Sequence, residues 1–227
     1  MFRSLFLLVL IAGGSIFAAT PPQPHQPLVF EPNRGQAPSP VKWIARGQGF
    51  QLFLTEEGLT MKVPESGSRP YTIVKMKLSG SRPWRKTTGI SPTSGTSNYV
   101  GTNDSAGTLT DIPQYEKVKV TNIYEGVDVV FYSNQGDLGY DFVVKPGADP
   151  AQIHLDFEGQ ERMRVDSPSG DLVLTTPSGF ELRQNHPKIY QQIGLRQVEM
   201  TRAYKLLDPK RTTFTLASYD VKRPVVN

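Results

Sequence analysis

The chain has 227 residues, a formal net charge of +4 and no cysteine. Lacking cysteine, it has no disulfide, thiolate zinc site, cysteine nucleophile or cysteine-linked lipid anchor, so an exported domain of this kind must hold together by core burial alone. Its Lys and Arg are spread along the sequence, with small clusters only at Arg82, Arg85, Lys86 and at Lys210, Arg211; that distribution serves solubility and argues against nucleic-acid binding.

The N-terminal MFRSLFLLVLIAGGSIFAAT reads as a cleaved signal peptide over 1–19. Arg3 is the charged start, Leu5 to Ile11 the apolar stretch, and Gly13, Gly14, Ser15, Ala18 and Ala19 the small-residue end, with cleavage after Ala18 or Ala19. The apolar stretch falls short of the roughly 20 residues a membrane helix needs, which leaves an uncleaved anchor as the lesser alternative. The expected mature chain is therefore extracytoplasmic, secreted or held at the surface or in the periplasm, without stable membrane insertion. Residues 20–29 follow as a proline-rich leader whose PPQPHQP favours polyproline extension over a packed element.

From residue 30 to 227 the pattern is all-β. Val41 to Ala45, Phe50 to Leu54 and Leu59 to Val63 are strand runs between glycine-rich turns, and YTIVKMKLSG alternates Val74, Met76 and Leu78 inward against Ile73, Lys75 and Lys77. Residues 81–107, polar and rich in Ser, Thr, Gly and Pro, read as a long irregular loop; a division into two β subdomains would fall near 81–110. Beyond it Val118 and Val120 alternate with lysines. Val127, Val129 and Phe131 form a run apolar on nearly both faces, and Asn134 to Asp137 is a hairpin turn. Ile153, Leu155 and Phe157 face inward, and LVLTT and FELRQ are short strands between the turns SPSGD and PSG. Val198 to Leu207 reads as a strand. Turns at this spacing predict an antiparallel, β-sandwich-like domain.

Three stretches carry a family resemblance: FEPNRGQ, NIYEGVDVVFYSNQGDLGYDFVVKPGADPAQIHLDFEG and GDLVLTTPSGFELRQNHPKIYQ. They resemble an N-terminal β-rich domain of unknown function from large bacterial surface proteins, where it precedes SBBP-type β-propeller repeats, Ig-like modules or sorting segments. The resemblance implies a structural or adhesion-type extracellular region and no activity to inherit. Gly139 stands where that family tends to carry an acidic residue before Tyr140 and Asp141, and the sequence ends at SYDVKRPVVN where relatives run on into repeats. A truncated, split or stand-alone copy is the corresponding expectation.

Candidate chemistry is thin, and no catalytic residue, metal ligand or cofactor is assigned. A glycosidase needs two carboxylates roughly 5–9.5 Å apart, and Asp128, Asp141, Asp149, Asp156 and Glu158 lie in or beside the strand block, but Asp128, Asp156 and Glu158 fit the wet phase of their strands and Asp149 a turn. Asn134, Asp137 and Asp141 offer calcium-type oxygens without the spacing of an EF-hand loop. His25, His154 and His186 are far apart, and no G-x-S-x-G elbow exists. Ser39–Pro40–Val41–Lys42 matches S-x-x-K by chance, since two prolines put the serine in a loop. Most aromatics serve the core or its margin. The exception is Trp84, expected to stand exposed between Arg82 and Arg85 as a contact for a glycan or an acidic surface. The reading is a non-enzymatic structural or adhesion-type module, its partners other surface-protein modules or extracellular glycan. The alternatives are a carbohydrate-binding module, a glycoside or ester hydrolase, and a docking domain for a separate β-propeller protein.

Overall fold

A computed structural model describes residues 11–17, 27–47, 49–64, 70–100, 107–193, 196–200, 202–216 and 225–226. Strands dominate, and among the described residues there is no α-helix. In chain order they are β1 (Ile11–Phe17), β2 (Phe30–Pro32), β3 (Val41–Gly47), β4 (Phe50–Thr55), β5 (Leu59–Pro64) and β6 (Tyr71–Leu78). Then come β7 (Thr87–Tyr99), β8 (Leu109–Tyr124), β9 (Val127–Asn134), β10 (Asp137–Val144), β11 (His154–Glu158), β12 (Arg162–Val165) and β13 (Leu172–Thr175). The last are β14 (Glu181–Gln184), β15 (Lys188–Ile193), β16 (Arg196–Met200), β17 (Arg202–Leu206), β18 (Arg211–Leu216) and β19 (Val225–Val226).

Short turns between successive runs force antiparallel pairing, and the strands join into one hydrogen-bonded network. It has two main arms, with β15, β16 and β19 branching from β1. One runs β2-β3-β4-β5-β6-β11-β18-β17. The other runs β7-β8-β9-β10-β1-β14-β13-β12. A single pairing, Phe30 with Tyr115, links β2 to β8. The arms pack against each other in a sandwich-like, all-β arrangement.

Period-two alternation supplies the core as expected. Val74, Met76 and Leu78 of β6 are buried while Lys75 is exposed, and Ile153, Leu155 and Phe157 are fully buried. Val127 to Phe131 is buried at every position, as is Leu138 to Val144, so β9 and β10 lie at the centre of the molecule. A line of rings crosses the core from arm to arm: Trp84 to Phe131 at 5.6 Å, Phe131 to Tyr140 at 6.0 Å, Tyr140 to Phe142 at 5.8 Å, Phe142 to Phe214 at 6.1 Å and Phe214 to Tyr204 at 5.5 Å. The apolar cluster takes residues from both sides of 81–110.

One expectation changes, and two N-terminal stretches are given a place. Residues 87–99, read as part of a loop, form β7; a strand that pairs with β8 along one edge needs no apolar face, so its Ser and Thr give no hydrophobic rhythm. Its register slips between Pro92 and Thr96, a break that blunts an edge strand. The leader's end is packed: Leu28 is 1% exposed and its N–H donates to Ser133 Oγ at 2.9 Å, whereas residues 20–26 lie outside the described part. Finally Ile11–Phe17, assigned to the signal peptide, is placed as a strand between β10 and the collinear β14 and β15.

Candidate functional site

The residues between β6 and β7 cross from one arm to the other, and backbone bonds fix this strap. The Trp84 N–H donates to the Glu56 carbonyl and the Arg82 N–H to the Ile123 carbonyl, both at 2.8 Å, and the Thr121 N–H to the Lys86 carbonyl at 2.9 Å. Anchored on both sides, the strap turns its one large apolar side chain inward. Trp84 is 1% exposed, against Phe131, and not the surface platform expected of it. Its indole Nε1 has no hydrogen-bond partner.

Arg82 and Arg85 stay outside and are ion-paired. Arg82 meets Glu125 at 2.6 Å, and Arg85 meets Glu56 at 3.2 Å. Glu56 also holds Lys42 at 3.2 Å, and these two cations, Lys42 first, keep its carboxyl below its usual range. A polar hollow of about 450 Å³ opens beside this cluster, lined by Ser39, Lys42, Glu56, Glu57, Lys75 and Lys77. Ser39 sits in a turn, so the S-x-x-K match has no helix under it.

Each candidate carboxylate is bonded into the framework. Asp128 is 2% exposed, contrary to its expected wet position, because both faces of β9 are covered; it accepts the Asn122 N–H at 2.7 Å and meets Lys119 Nζ at 2.7 Å. Asp156 accepts from the Ser79 hydroxyl and from Arg211 Nε at 2.5 Å. Partial burial pushes its carboxyl up, but the Arg211 and Ser79 hydrogen bonds bring it below its ordinary value. Glu158 is exposed and lies 3.5 Å from Lys77. Asp149 accepts the Ala151 N–H at 2.8 Å and caps a single 3-10 turn.

Of the calcium-type oxygens, Asn134 and Asp137 face each other across the β9–β10 turn while Asp141 lies further along β10. Among the described residues no three His, Asp or Glu gather as a metal site would require. His154 Nδ1 lies 3.1 Å from the Gln152 carbonyl. The His186 N–H donates to Asp171 at 2.8 Å, and His25 is outside the described residues.

Two polar groupings escaped the sequence. On the second face of β9 and β10, the Tyr132 hydroxyl donates to Asp141 at 2.9 Å and Lys117 lies 6.0 Å from the Tyr132 ring centre. Burial pushes the Asp141 carboxyl up to about 7, against the pull of the Tyr132 hydrogen bond and of Lys117. The Tyr132 ring covers Gly139, its partner in register; a Cβ there would come within 2.5 Å of the ring. Glycine thus stands at this position because an aromatic covers it. The other grouping surrounds Glu31, 6% exposed, which accepts from Ser97 Oγ at 2.5 Å and from the Tyr99 hydroxyl and binds β2 to β7. Only register, invisible in one sequence, brings these partners together.

In the motif FEPNRGQ, Phe30–Pro32 belong to β2 and the residues from Asn33 on form a self-satisfied loop. Asn33 Nδ2 donates to the Ala37 and Val41 carbonyls at 2.9 Å, while its Oδ1 accepts the Gly35 and Ala37 N–H groups at 3.0 and 3.1 Å. Fold and site together define an all-β domain of two packed antiparallel arms, with its motif residues spent on turns and strand joints. A family model for a domain of unknown function (DUF7948) matches residues 30–226, and the chain belongs to that family. Comparison with curated proteins and with solved structures returned no match.

Proposed function

We propose that the chain is an exported, non-catalytic structural or adhesion-type β module of a bacterial cell-surface or secreted protein, making contact through loops or sheet edges. The observation behind this reading is that the candidates for acid–base work are each engaged by the framework: Asp128, Asp156 and Glu158 by ion pairs, Asp149 by the turn it caps and Asp141 by the Tyr132 hydroxyl. General acid–base catalysis needs a group within reach of a substrate proton and free to exchange it. The glycan reading loses its aromatic platform with the burial of Trp84. Its resemblance to domains preceding propeller repeats supports a place beside other modules of a surface protein.

Two measurements test this. Fractionation of cells expressing the full chain should recover it outside the cytoplasm without residues 1–19; an intact cytosolic product overturns the export reading. A glycoside and ester panel should show no turnover above buffer. Turnover that Asp141→Asn or Asp156→Asn abolishes would make the protein an enzyme.

A further inference from the structure

Among the described residues β10 and β14 never pair with each other; β1 lies between them. Ile11, Ala12, Gly13 and Ile16 of β1 register with Phe142, Asp141, Tyr140 and Leu138 of β10. On its other edge Ile16 and Phe17 register with Gln184 and Arg183, and Ile11 and Ala12 with Ile189 and Lys188. Adjacent strands lie about 4.8 Å apart, so the two rails stand about 10 Å apart, the width of one strand.

A side-chain bond spans that width. Gln184 Nε2 donates to the Tyr140 hydroxyl, both residues being 1% exposed or less, and Gln184 Oε1 is buried without a partner. With β1 in place, β10 is buried from Leu138 to Val144. Without that third strand, β10 would keep β9 on one side and carry unpaired backbone N–H and C=O groups on the other, the open edge that templates pairing with another strand.

The same seven residues have been read as the end of a signal peptide, and one molecule cannot use them both ways. We propose that the gap between β10 and β14–β15 is a strand-acceptor slot that, after Ile11–Phe17 leaves with the signal, takes in trans an extended apolar segment from a separate surface-protein module. The proposal rests on the export reading above. The leader cannot refill the slot, because Pro21, Pro22, Pro24 and Pro27 lack the N–H groups a central strand must donate. The fitting partner segment is proline-free and runs antiparallel to β10. By the sequence IAGGSIF it carries small residues at the positions in register with Asp141 and Tyr140 and bulky apolar ones at its ends.

The full chain is expressed with export, and the mass of the product shows where it begins. A synthetic peptide of residues 10–18, LIAGGSIFA, is titrated into it, alongside the same peptide carrying Gly13→Pro and Ser15→Pro. Saturable binding by the first peptide is expected, at least tenfold weaker for the second, with amide exchange over Leu138–Phe142 slowed at least tenfold on binding. A processed product that neither binds the peptide nor changes its exchange overturns the slot. So does a processed product that elutes as a dimer the peptide cannot dissociate, since the occupant is then a second copy. A product retaining residues 11–17 defeats the processing reading instead, and its mass alone distinguishes that outcome.

Discussion

Trp84 carries two opposed contributions. Burying an indole against Phe131 and the surrounding core is favourable, whereas its partnerless N–H costs roughly 1–3 kcal/mol. Trp84→Ala should therefore destabilise by about 3–5 kcal/mol, as large aromatic truncations in cores do. Trp84→Phe should cost much less, since it removes the orphaned donor with only part of the ring. Urea unfolding of the two variants measures both, and equal losses would contradict the burial. The indole's position was hidden in the sequence because its neighbours Arg82, Arg85 and Lys86 are cationic and exposed, and a strap with one inward side chain has no period to read. Asp128 misled for the opposite reason: its phase on β9 is the polar one, yet the face it occupies is covered and Lys119 neutralises it.

Among the elements, the β9–β10 hairpin was legible almost residue by residue. Two apolar runs flank Asn134 to Asp137, and the turn places Gln135 and Gly136 at φ of 54° and 91°, the left-handed pair of a type I′ turn. Glycine suits that region, but Gln135 has no such licence, and asparagine tolerates it better. Gln135→Asn should stabilise the protein by about 0.5–1 kcal/mol, raising the melting temperature by roughly 1–4 °C. An unchanged or lower transition in calorimetry would show that the turn is not under this constraint. By contrast β7 was illegible. Hydrophobic rhythm reports a buried face, and an edge strand whose outer residues are Ser and Thr has none. The same limit hid the join between β2 and β7, where Glu31 meets Ser97 and Tyr99 across more than sixty residues of sequence.

At the scale of the whole molecule, the buried Asp141 couples stability to pH. In the unfolded chain an aspartate loses its proton near pH 3.9, whereas the folded Asp141 keeps it up to about 7. Between those values the native state holds one proton more than the unfolded chain, so stability falls as pH rises from about 4 to 7 and levels off above. That separation corresponds to at most about 4 kcal/mol. Asp141→Asn should flatten this slope while leaving the acid end little changed. Chemical denaturation at pH 5 and pH 8 gives the comparison, and an equal slope in both proteins would place the titration elsewhere. Antiparallel architecture was readable because turns and alternation are local signals. Which strands meet, and hence where carboxylates find lysines and hydroxyls, depends on partners distant along the chain.

The file of rings from Trp84 to Tyr204 also makes the protein its own optical gauge. The chain has two tryptophans, and Trp43 and Trp84 are 7% and 1% exposed. Native emission should thus be that of shielded indoles, shifted to the blue of a hydrated one. Trp84 touches the Phe131 link between the arms while Trp43 stacks edge-on against Tyr115 at 5.5 Å, beside the β2–β8 junction. Replacing either by phenylalanine leaves a single-tryptophan protein whose colour change on unfolding reports the Phe131 region separately from the β2–β8 junction.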